Sequence, residues 1–396
     1  MTEHRSSTID LSSVKPGEMA AFPREEFESR QNALRRLLSE RNIDMLMVTG
    51  PENIFYLTGQ QTPGYYTFQC LGVPAEGTPF LLLRELESYN ATVNTYLTDI
   101  ETYGDDSDPG DVLARMLGQR GLSRGKIAID RSSWFLTVNL YDRLTSSLGH
   151  TEDGSGLVEQ LRLIKSPLEI QAIETAARYN DIGMKAGIEA IAAGVTENDV
   201  AAKMMAAAIE AGSEYMGMDP FVTSGPRSGI PHTTWRRRKM KTADAVLLEN
   251  AACHNRYHAA LMRTVWIGKA PAKAKEMMKA CQEALCAALD EIRPGNTCAA
   301  VHNACQRVID GYGFTDYFRK RTGYGIGISF SPDWGEGHII SLFHNENREL
   351  RPGMAFHMPP ALRDYGRFAV GVSETVIVTD TGCRTLSDIP RDMVER

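Results

Sequence analysis

Residues 245–268 constrain the fold of this chain more than any other stretch. They read AVLLENAACHNRYHAALMRTVWIG, in which two apolar runs flank the polar turn CHNRY. Apolar runs of this length on either side of a short polar turn predict two paired, buried strands. Glu249 lies inside the first run, where a carboxylate must either be paired or have a function. From these residues alone, an ion pair with Arg256 or Arg263 across the hairpin is as acceptable as a catalytic role.

The rest of the chain indicates two domains. A chain of 396 residues exceeds what one hydrophobic core usually supports. A helical pattern over residues 23–42 is followed by a short apolar strand at 43–50, and similar alternation continues to about residue 155. We therefore predict an α/β domain over residues 21–155, preceded by a flexible N-terminus at residues 1–20.

The second part of the sequence has a different character. Ser166 and Glu169 form a capping box with Pro167 at the first helical position, and Thr196 and Asp199 form a second box. Strand-like segments rich in glycine, proline and aromatic residues follow. We predict an α+β domain over residues 156–396, in which helices cover one face of a curved sheet and the other face forms a cleft.

Composition excludes several classes of partner. The formal net charge is -7, and the chain has no long basic run apart from the short WRRRKMK at residues 235–241. Binding to nucleic acid or to an anionic membrane surface needs many clustered cations, so neither is expected. No apolar run approaches the roughly 18 residues that span a bilayer, and no secretory signal pattern is present. The sequence predicts a cytoplasmic protein.

Further segments of the second half carry polar and aromatic side chains. They are TSGPRSGIPHTTW with His232, RTGYGIGISFSPDWGEGH with Tyr324 and Trp334, RPGMAFHMPP with His357, and VGVSETVIVT with Glu374. Together with the hairpin, with GPENIFYLTG at 50–59 and with LRLIKSPLEI at 161–170, their order resembles the creatinase and proline-peptidase superfamily. The resemblance implies a creatinase-type N-terminal domain and a C-terminal domain of the pita-bread fold.

The resemblance also implies where metal ligands would lie. Metallopeptidases of the superfamily hold two metal ions with two Asp, one His and two Glu. The matching positions here carry Glu249, Ala260, Tyr324, Pro359 and Ser373. At most one carboxylate remains, whereas a pair of metal ions needs bridging carboxylates. The sequence therefore predicts no metal and no other cofactor.

The amino-acid sequences of these motifs are most similar to those of the ectoine hydrolases, a metal-free branch of the superfamily. Members of that branch open the cyclic amidine of ectoine, a small zwitterionic compatible solute, to an acetylated diaminobutyrate. The resemblance implies that Glu249 attacks the amidine carbon or activates a water for that attack. His232 would carry the proton to the departing ring nitrogen.

The remaining substrate contacts are expected from the aromatic and charged residues of the same segments. Tyr324, Trp334 and Phe330 are predicted to hold the amidinium by cation–π contact. Further predicted contacts are Glu374 to a ring N–H, Arg227 or Arg84 to the substrate carboxylate, His258 in the cleft, and Tyr56 or Tyr65 from a neighbouring subunit. His357, beside a lost ligand position, is an even choice between a site residue and a structural one.

Three other functions remain open from the sequence. A creatinase-like amidinohydrolase would use the same histidine position, but Met262, Met358 and Pro359 are uncharged where a guanidinium would be gripped. An Xaa-Pro metallopeptidase would need the missing ligands, and a non-catalytic binding protein would not need His232 together with Glu249. The resemblance also implies a homodimer, and it leaves open whether a downstream deacetylase associates with the hydrolase.

Overall fold

The computed structural model describes residues 14–122 and 125–396. The chain divides into two compact units, Met1–Arg162 and Leu163–Arg396. Most of the predicted flexible N-terminus, residues 1–13, lies outside the described residues. Its remainder is held in place, because the N–H groups of Gly17 and Met19 donate to the carbonyls of Thr92 and Val93. Within residues 14–20 the chain is thus ordered rather than flexible.

The first unit alternates helices and strands as the sequence predicts. Its helices are α1 (Arg24–Glu40), α2 (Pro51–Thr58), α3 (Ser88–Asn94), α4 (Pro109–Gln119), α5 (Val138–Leu148) and α6 (Glu159–Arg162). Its strands are β1 (Met45–Val48), β2 (Cys70–Pro74), β3 (Phe80–Arg84), β4 (Ile100–Tyr103), β5 (Ile127–Ile129) and β6 (Glu152–Asp153). The strands form one mixed sheet in the order β4-β3-β2-β1-β5-β6.

The second unit contains the long hairpin and the amphipathic helices. Its helices are α7 (Pro167–Ala190), α8 (Glu197–Glu210), α9 (Ala272–Glu291) and α10 (Cys298–Gly311). Its strands are β7 (Phe221–Ser224), β8 (Ala245–His254), β9 (Tyr257–Trp266), β10 (Gly323–Gly325), β11 (Ser341–Leu342), β12 (Ala355–Met358), β13 (Ala361–Asp364), β14 (Phe368–Gly371), β15 (Glu374–Val378), β16 (Cys383–Thr385) and β17 (Val394–Glu395).

These strands form three sheets. Strands β8 and β9 are the two arms of the predicted hairpin, and they lie in a sheet ordered β17-β9-β8-β7. A second sheet has the order β11-β10-β12-β15-β16, and β13 pairs with β14 alone. The prediction of an α/β domain followed by an α+β domain is confirmed.

Helix starts and burial explain how the hairpin is oriented. Both predicted capping boxes are present, so α7 begins after Ser166 and α8 after Thr196. Val246 and Leu248 of β8 pack in one core cluster with residues of these two helices. Because side chains alternate along a strand, Leu247 and Glu249 project from the other face of β8. Among the described residues, none of the helices combines the length and hydropathy that a membrane crossing requires.

Candidate active site

Glu249 lies in the middle of the sheet, on the face of β8 opposite to helices α7 and α8. It pairs directly with Met262 of β9 on one side and with Phe221 of β7 on the other. The glutamate is 9% exposed, so it is largely enclosed by protein. Because β8 is paired on both sides, the carboxylate has a fixed position relative to the side chains of Met262 and Phe221.

The Glu249 carboxylate has no bonded partner. Across residues 14–122 and 125–396, no group forms a hydrogen bond or an ion pair with it. Burial raises its pKa, while the positive charges of Lys320 and Arg363 act in the opposite direction. The alternative of an ion pair with Arg256 or Arg263 is wrong. Arg263 binds Glu374, and the Arg256 guanidinium donates to two backbone carbonyls.

Lys320 and Arg363 are site residues that the sequence analysis missed. Lys320 precedes β10 in the short basic run RKR, which stands directly before the segment of Tyr324. That placement was the available signal, since a cation next to a predicted active-site strand is a candidate partner for a buried carboxylate. Arg363 lies within the strand β13, and no motif distinguishes it.

Aromatic rings connect Glu249 to His232 and Trp334. Phe221, the strand neighbour of Glu249, stacks on the His232 imidazole with ring centroids 6.3 Å apart. It also meets the Trp334 ring edge to face at 5.3 Å. His232 is exposed and has a positive φ of 52°, a conformation uncommon for a residue with a side chain. The structure thus gathers three of the predicted site residues around Phe221.

A chain of hydrogen bonds continues from Trp334 into the second sheet. The Trp334 indole N–H donates to the Tyr324 hydroxyl at 2.8 Å, and that hydroxyl lies 2.9 Å from Nδ1 of His357. Nε2 of His357 is 2.7 Å from the Ser373 hydroxyl, which also accepts the N–H of Met262 at 2.6 Å. We call these four side chains, Trp334, Tyr324, His357 and Ser373, the polar chain.

Every member of the polar chain is electrically neutral. Burial, together with the positive charges of Lys320 and Arg263, lowers the pKa of His357 well below its usual value. Burial and the negative charge of Glu249 raise the pKa of Tyr324 well above its usual value. The hydrogen bonds that join Ser373, His357 and Tyr324 can therefore all point toward Tyr324 or all point toward Ser373. If Ser373 donates to His357 and His357 to Tyr324, the phenolic proton of Tyr324 is left to bind something else.

Two members of the polar chain, Tyr324 and Ser373, stand at positions where the resemblance to the metallopeptidases implies metal ligands. Tyr324 and Ser373 use their oxygens within the chain, Ala260 has no donor atom in its side chain, and Pro359 has none either. Only Glu249 offers a carboxylate. Within the ranges that the structure describes, no three His, Cys, Asp or Glu side chains are grouped so as to share a metal ion. The residues present do not fit a two-metal centre.

Glu374 does not lie among the other predicted site residues, although the sequence predicts that it contacts the substrate. Its carboxylate is 1% exposed and accepts hydrogen bonds at 3.0 Å from both Arg263 and Arg391. It follows Ser373 directly, so the strand alternation directs it to the opposite face. Glu374 therefore stabilises the fold, and the prediction that it contacts substrate is corrected.

His258, Arg227 and Phe330 are also engaged elsewhere. The His258 ring accepts the N–H of Gly217 at 3.0 Å and donates from Nδ1 to a backbone carbonyl. Burial lowers the pKa of His258 to about 3, so the ring is neutral and structural. Arg227 forms an ion pair with Glu197, and Phe330 lies under the Arg256 guanidinium at 4.7 Å. These three side chains are not part of the cluster around Glu249.

The predicted contacts from the first unit can be placed within that unit. The Tyr56 hydroxyl donates to the carbonyl of Leu161 at 3.3 Å, and its ring is buried. Tyr65 packs edge to face on Phe135. Arg84 forms an ion pair with Asp105 at 2.5 Å. A role for Tyr56 or Tyr65 in a neighbouring subunit stays a prediction.

Two family models match the chain. Residues 30–164 match the creatinase/prolidase N-terminal domain, and residues 171–380 match metallopeptidase family M24. Among curated relatives, an ectoine hydrolase from Halomonas elongata is 31% identical, over 94% of this chain and 98% of its own length. An Xaa-Pro dipeptidase from Lactobacillus helveticus is 26% identical, over 91% and 97% of the two chains.

Solved structures agree with the family models. The dipeptidase PepE from Mycobacterium ulcerans superposes with a TM-score of 0.81 at 25% identity, covering 95% of this chain and 99% of that one. This likeness confirms the creatinase-type N-terminal domain and the pita-bread C-terminal domain. The chain belongs to the creatinase and proline-peptidase superfamily, as a member of metallopeptidase family M24 with a creatinase/prolidase N-terminal domain.

Proposed function

We propose that the protein is a metal-independent hydrolase that opens the cyclic amidine ring of ectoine. The observation that carries the proposal is the Glu249 carboxylate, which is enclosed, unbonded and bordered by aromatic rings. A buried carboxylate without a partner is costly, and a cationic ligand removes that cost. The similarity to the ectoine hydrolase of Halomonas elongata supports an amidinium as that ligand.

Glu249 would act directly on the amidine carbon. In the covalent route its oxygen forms a bond to this carbon while the C=N π electrons move to nitrogen. The C–N bond to one ring nitrogen then breaks as that nitrogen takes a proton, and water releases the acetylated diaminobutyrate. In the other route Glu249 removes a proton from water, and the resulting hydroxide attacks the same carbon. We favour the covalent route because a buried glutamate stays ionised when a cationic ligand arrives beside it.

His232 and the polar chain would manage the protons. His232 is exposed and stacks on Phe221 beside Glu249, so its imidazole can exchange protons with solvent and deliver one to the departing nitrogen. Tyr324 can donate its phenolic proton toward the substrate when the polar chain runs from Ser373 to Tyr324. Neither role requires His357 to carry charge.

The aromatic rings would bind the amidinium. Trp334 and Phe221 present faces and edges next to Glu249, and the Tyr324 ring lies in the same cluster. Cation–π contacts at desolvated sites are worth roughly 0.5 to 2 kcal/mol each. Phe330 is excluded from this group because Arg256 covers it. A homodimer and an association with a deacetylase remain proposals that accompany the function.

Proton NMR of ectoine incubated with the purified protein tests the proposal. Hydrolysis converts the methyl group on the amidine carbon into an acetamide methyl group, which has a different chemical shift. We expect that conversion with the wild-type protein and none with Glu249→Gln. An unchanged methyl signal with folded wild-type protein would refute the ectoine hydrolase activity. Creatine supplied in parallel tests the creatinase-like alternative, for which we expect no product.

A further inference from the structure

Two cations act on the charge of Glu249. Within the described residues, Lys320 and Arg363 are positively charged groups whose charges oppose the effect of burial on its pKa. Both side chains are partly exposed. When the amidinium of a ligand takes up the charge of Glu249, a negative charge on the same ligand would compensate the two cations.

The position of Arg363 follows from the packing around the hairpin. Ala361 lies on the same face of β13 as Arg363, and Ala369 pairs directly with Arg363. Both alanines pack in one cluster with Leu247 and Met262, the residues beside and opposite Glu249. The Arg363 guanidinium is held by a hydrogen bond from Nη1 to the carbonyl of Ser228 at 3.0 Å. The arginine thus projects over the face of the sheet that carries Glu249.

Lys320 reaches the site from the segment before β10. The next residue, Arg321, stacks its guanidinium on the Tyr324 ring at 4.8 Å, so the segment runs along the polar chain. In the part of the chain that the structure describes, the Lys320 ammonium has no hydrogen-bond or ion-pair partner.

The arginines that the sequence offered for the substrate carboxylate are already paired. Arg227 forms its ion pair with Glu197, and its other Nη donates to the carbonyl of Thr234. Arg84 is bound to Asp105 through two hydrogen bonds. Neither needs a further anion, whereas Lys320 does.

We infer that Lys320 and Arg363 form a carboxylate-binding subsite next to Glu249, in which Lys320 is the principal contact. The inference rests on the proposed function and names the group that selects a zwitterionic amidine. In ectoine only one ring carbon separates the carboxylate from an amidine nitrogen, so both charges fit a site with one anion and two cations side by side. The amidinium meets Glu249 and the carboxylate meets Lys320 and Arg363. A cyclic amidine without an anionic group would leave the two cations unsatisfied.

The test compares ectoine with its carboxamide, which has the same shape but no negative charge. The ratio of kcat/KM for the two compounds is measured for the wild type, Lys320→Met and Lys320→Arg. The matched control is Arg319→Met, which removes the neighbouring cation, an exposed side chain that does not act on Glu249. Binding of both compounds to Glu249→Gln, with and without Lys320→Met, is measured by calorimetry and does not depend on turnover.

We expect the wild type to prefer ectoine by at least about tenfold, since its carboxylate makes charge-assisted hydrogen bonds that the carboxamide cannot make. Lys320→Met should lose most of that preference through a higher KM for ectoine, whereas Lys320→Arg and Arg319→Met should keep it. A wild-type preference that survives in Lys320→Met, in both kinetics and binding, would overturn the subsite. Absence of any turnover by the wild type would instead refute the proposed function, and the binding ratio would still decide the subsite.

Discussion

Two buried glutamates of the second unit, Glu249 and Glu374, differ in how their charge is compensated. Glu374 is 1% exposed and is bonded to two arginines, whereas Glu249 is 9% exposed and is bonded to none within the described ranges. Burial raises the pKa of both carboxyl groups. The charges of Arg263 and Arg391, which donate hydrogen bonds to Glu374, oppose the rise in its pKa. The rise in the pKa of Glu249 is opposed by the charges of Lys320 and Arg363, which are not bonded to it.

The difference separates structural from functional carboxylates in this fold. Both arginines bind Oε1 of Glu374, so the ion pair joins segments of the fold and fixes this carboxylate in a structural role. A carboxylate held in a sheet without a bonded partner is preorganised for a cationic ligand. The same contrast applies to two histidines, because His258 is bonded to backbone on both sides and His357 belongs to the polar chain.

The largest expected effect is the loss of turnover in Glu249→Gln. The amide is nearly the same size but neither attacks carbon nor accepts a proton, so kcat should fall by at least about 10³-fold. Thermal stability should not decrease, since the replacement removes a buried charge that had no bonded partner. Kinetics and thermal denaturation of the same preparation check both statements. Substantial residual turnover would assign the chemistry to another group.

Glu374→Gln is the matched substitution in the paired glutamate, and its effect should fall on stability. It leaves Arg263 buried without its counter-charge, and breaking such a pair costs about 3 kcal/mol. The turnover per folded molecule should stay within about twofold of wild type, because Glu374 projects away from the site. Urea denaturation and active-site titration separate the two quantities. If Glu374→Gln lost turnover at unchanged stability, the assignment of the two glutamates would be reversed.

His258→Ala should cost less stability than the ion-pair substitution. The buried N–H of Gly217 loses its acceptor, which is worth about 1 to 3 kcal/mol. The folded His258 ring is neutral because burial lowers its pKa from 6.5 to about 3. The cost should therefore be constant at and above about pH 8, and it should shrink as the pH falls through 6.5, where only the unfolded ring takes up a proton. Denaturation at several pH values measures it. A cost that grew as the pH fell through this range would show that the folded ring carries charge.

The smallest expected effect is a pH dependence of KM for ectoine. Burial lowers the pKa of Lys320 to about 8, while Glu249, Cys281 and Cys305 act to raise it and Arg363 acts to lower it. The protonated ammonium binds carboxylate, so KM should be low below pH 8 and rise by up to about tenfold as the pH increases through 8. The carboxamide should show no such rise. A rise in KM with both compounds would assign the titration to a group other than the carboxylate subsite.

The fold was predictable to a large extent because local signals were strong. The two capping boxes, the amphipathic helices and the apolar arms of the hairpin each define an element without reference to the rest of the chain. The candidate site was predictable where a residue sits within a motif, as with Glu249, Tyr324 and Trp334. The ordered segment at residues 14–20 was missed, because its hydrogen bonds to Thr92 and Val93 depend on tertiary contact.

The charged contacts were less predictable, for a physical reason. Whether Arg227, Glu374 or His258 faces a ligand depends on partners that are distant in sequence, such as Glu197, Arg391 and Gly217. A sequence motif gives the residue type but not the bonds that already occupy it. Lys320 and Arg363 were missed because what distinguishes them is their proximity to Glu249, not their own pattern.

The central claim is that Glu249 acts on the substrate without a metal ion, because the donor atoms at the other ligand positions are absent or already hydrogen-bonded. Its most direct test is ectoine turnover by protein dialysed against a strong chelator, with the metal content measured on the same sample. We expect unchanged kcat with far less than one metal ion per chain, and no stimulation by added Mn²⁺, Co²⁺ or Zn²⁺. Turnover that disappears with the metal and returns when one of these ions is restored would contradict it.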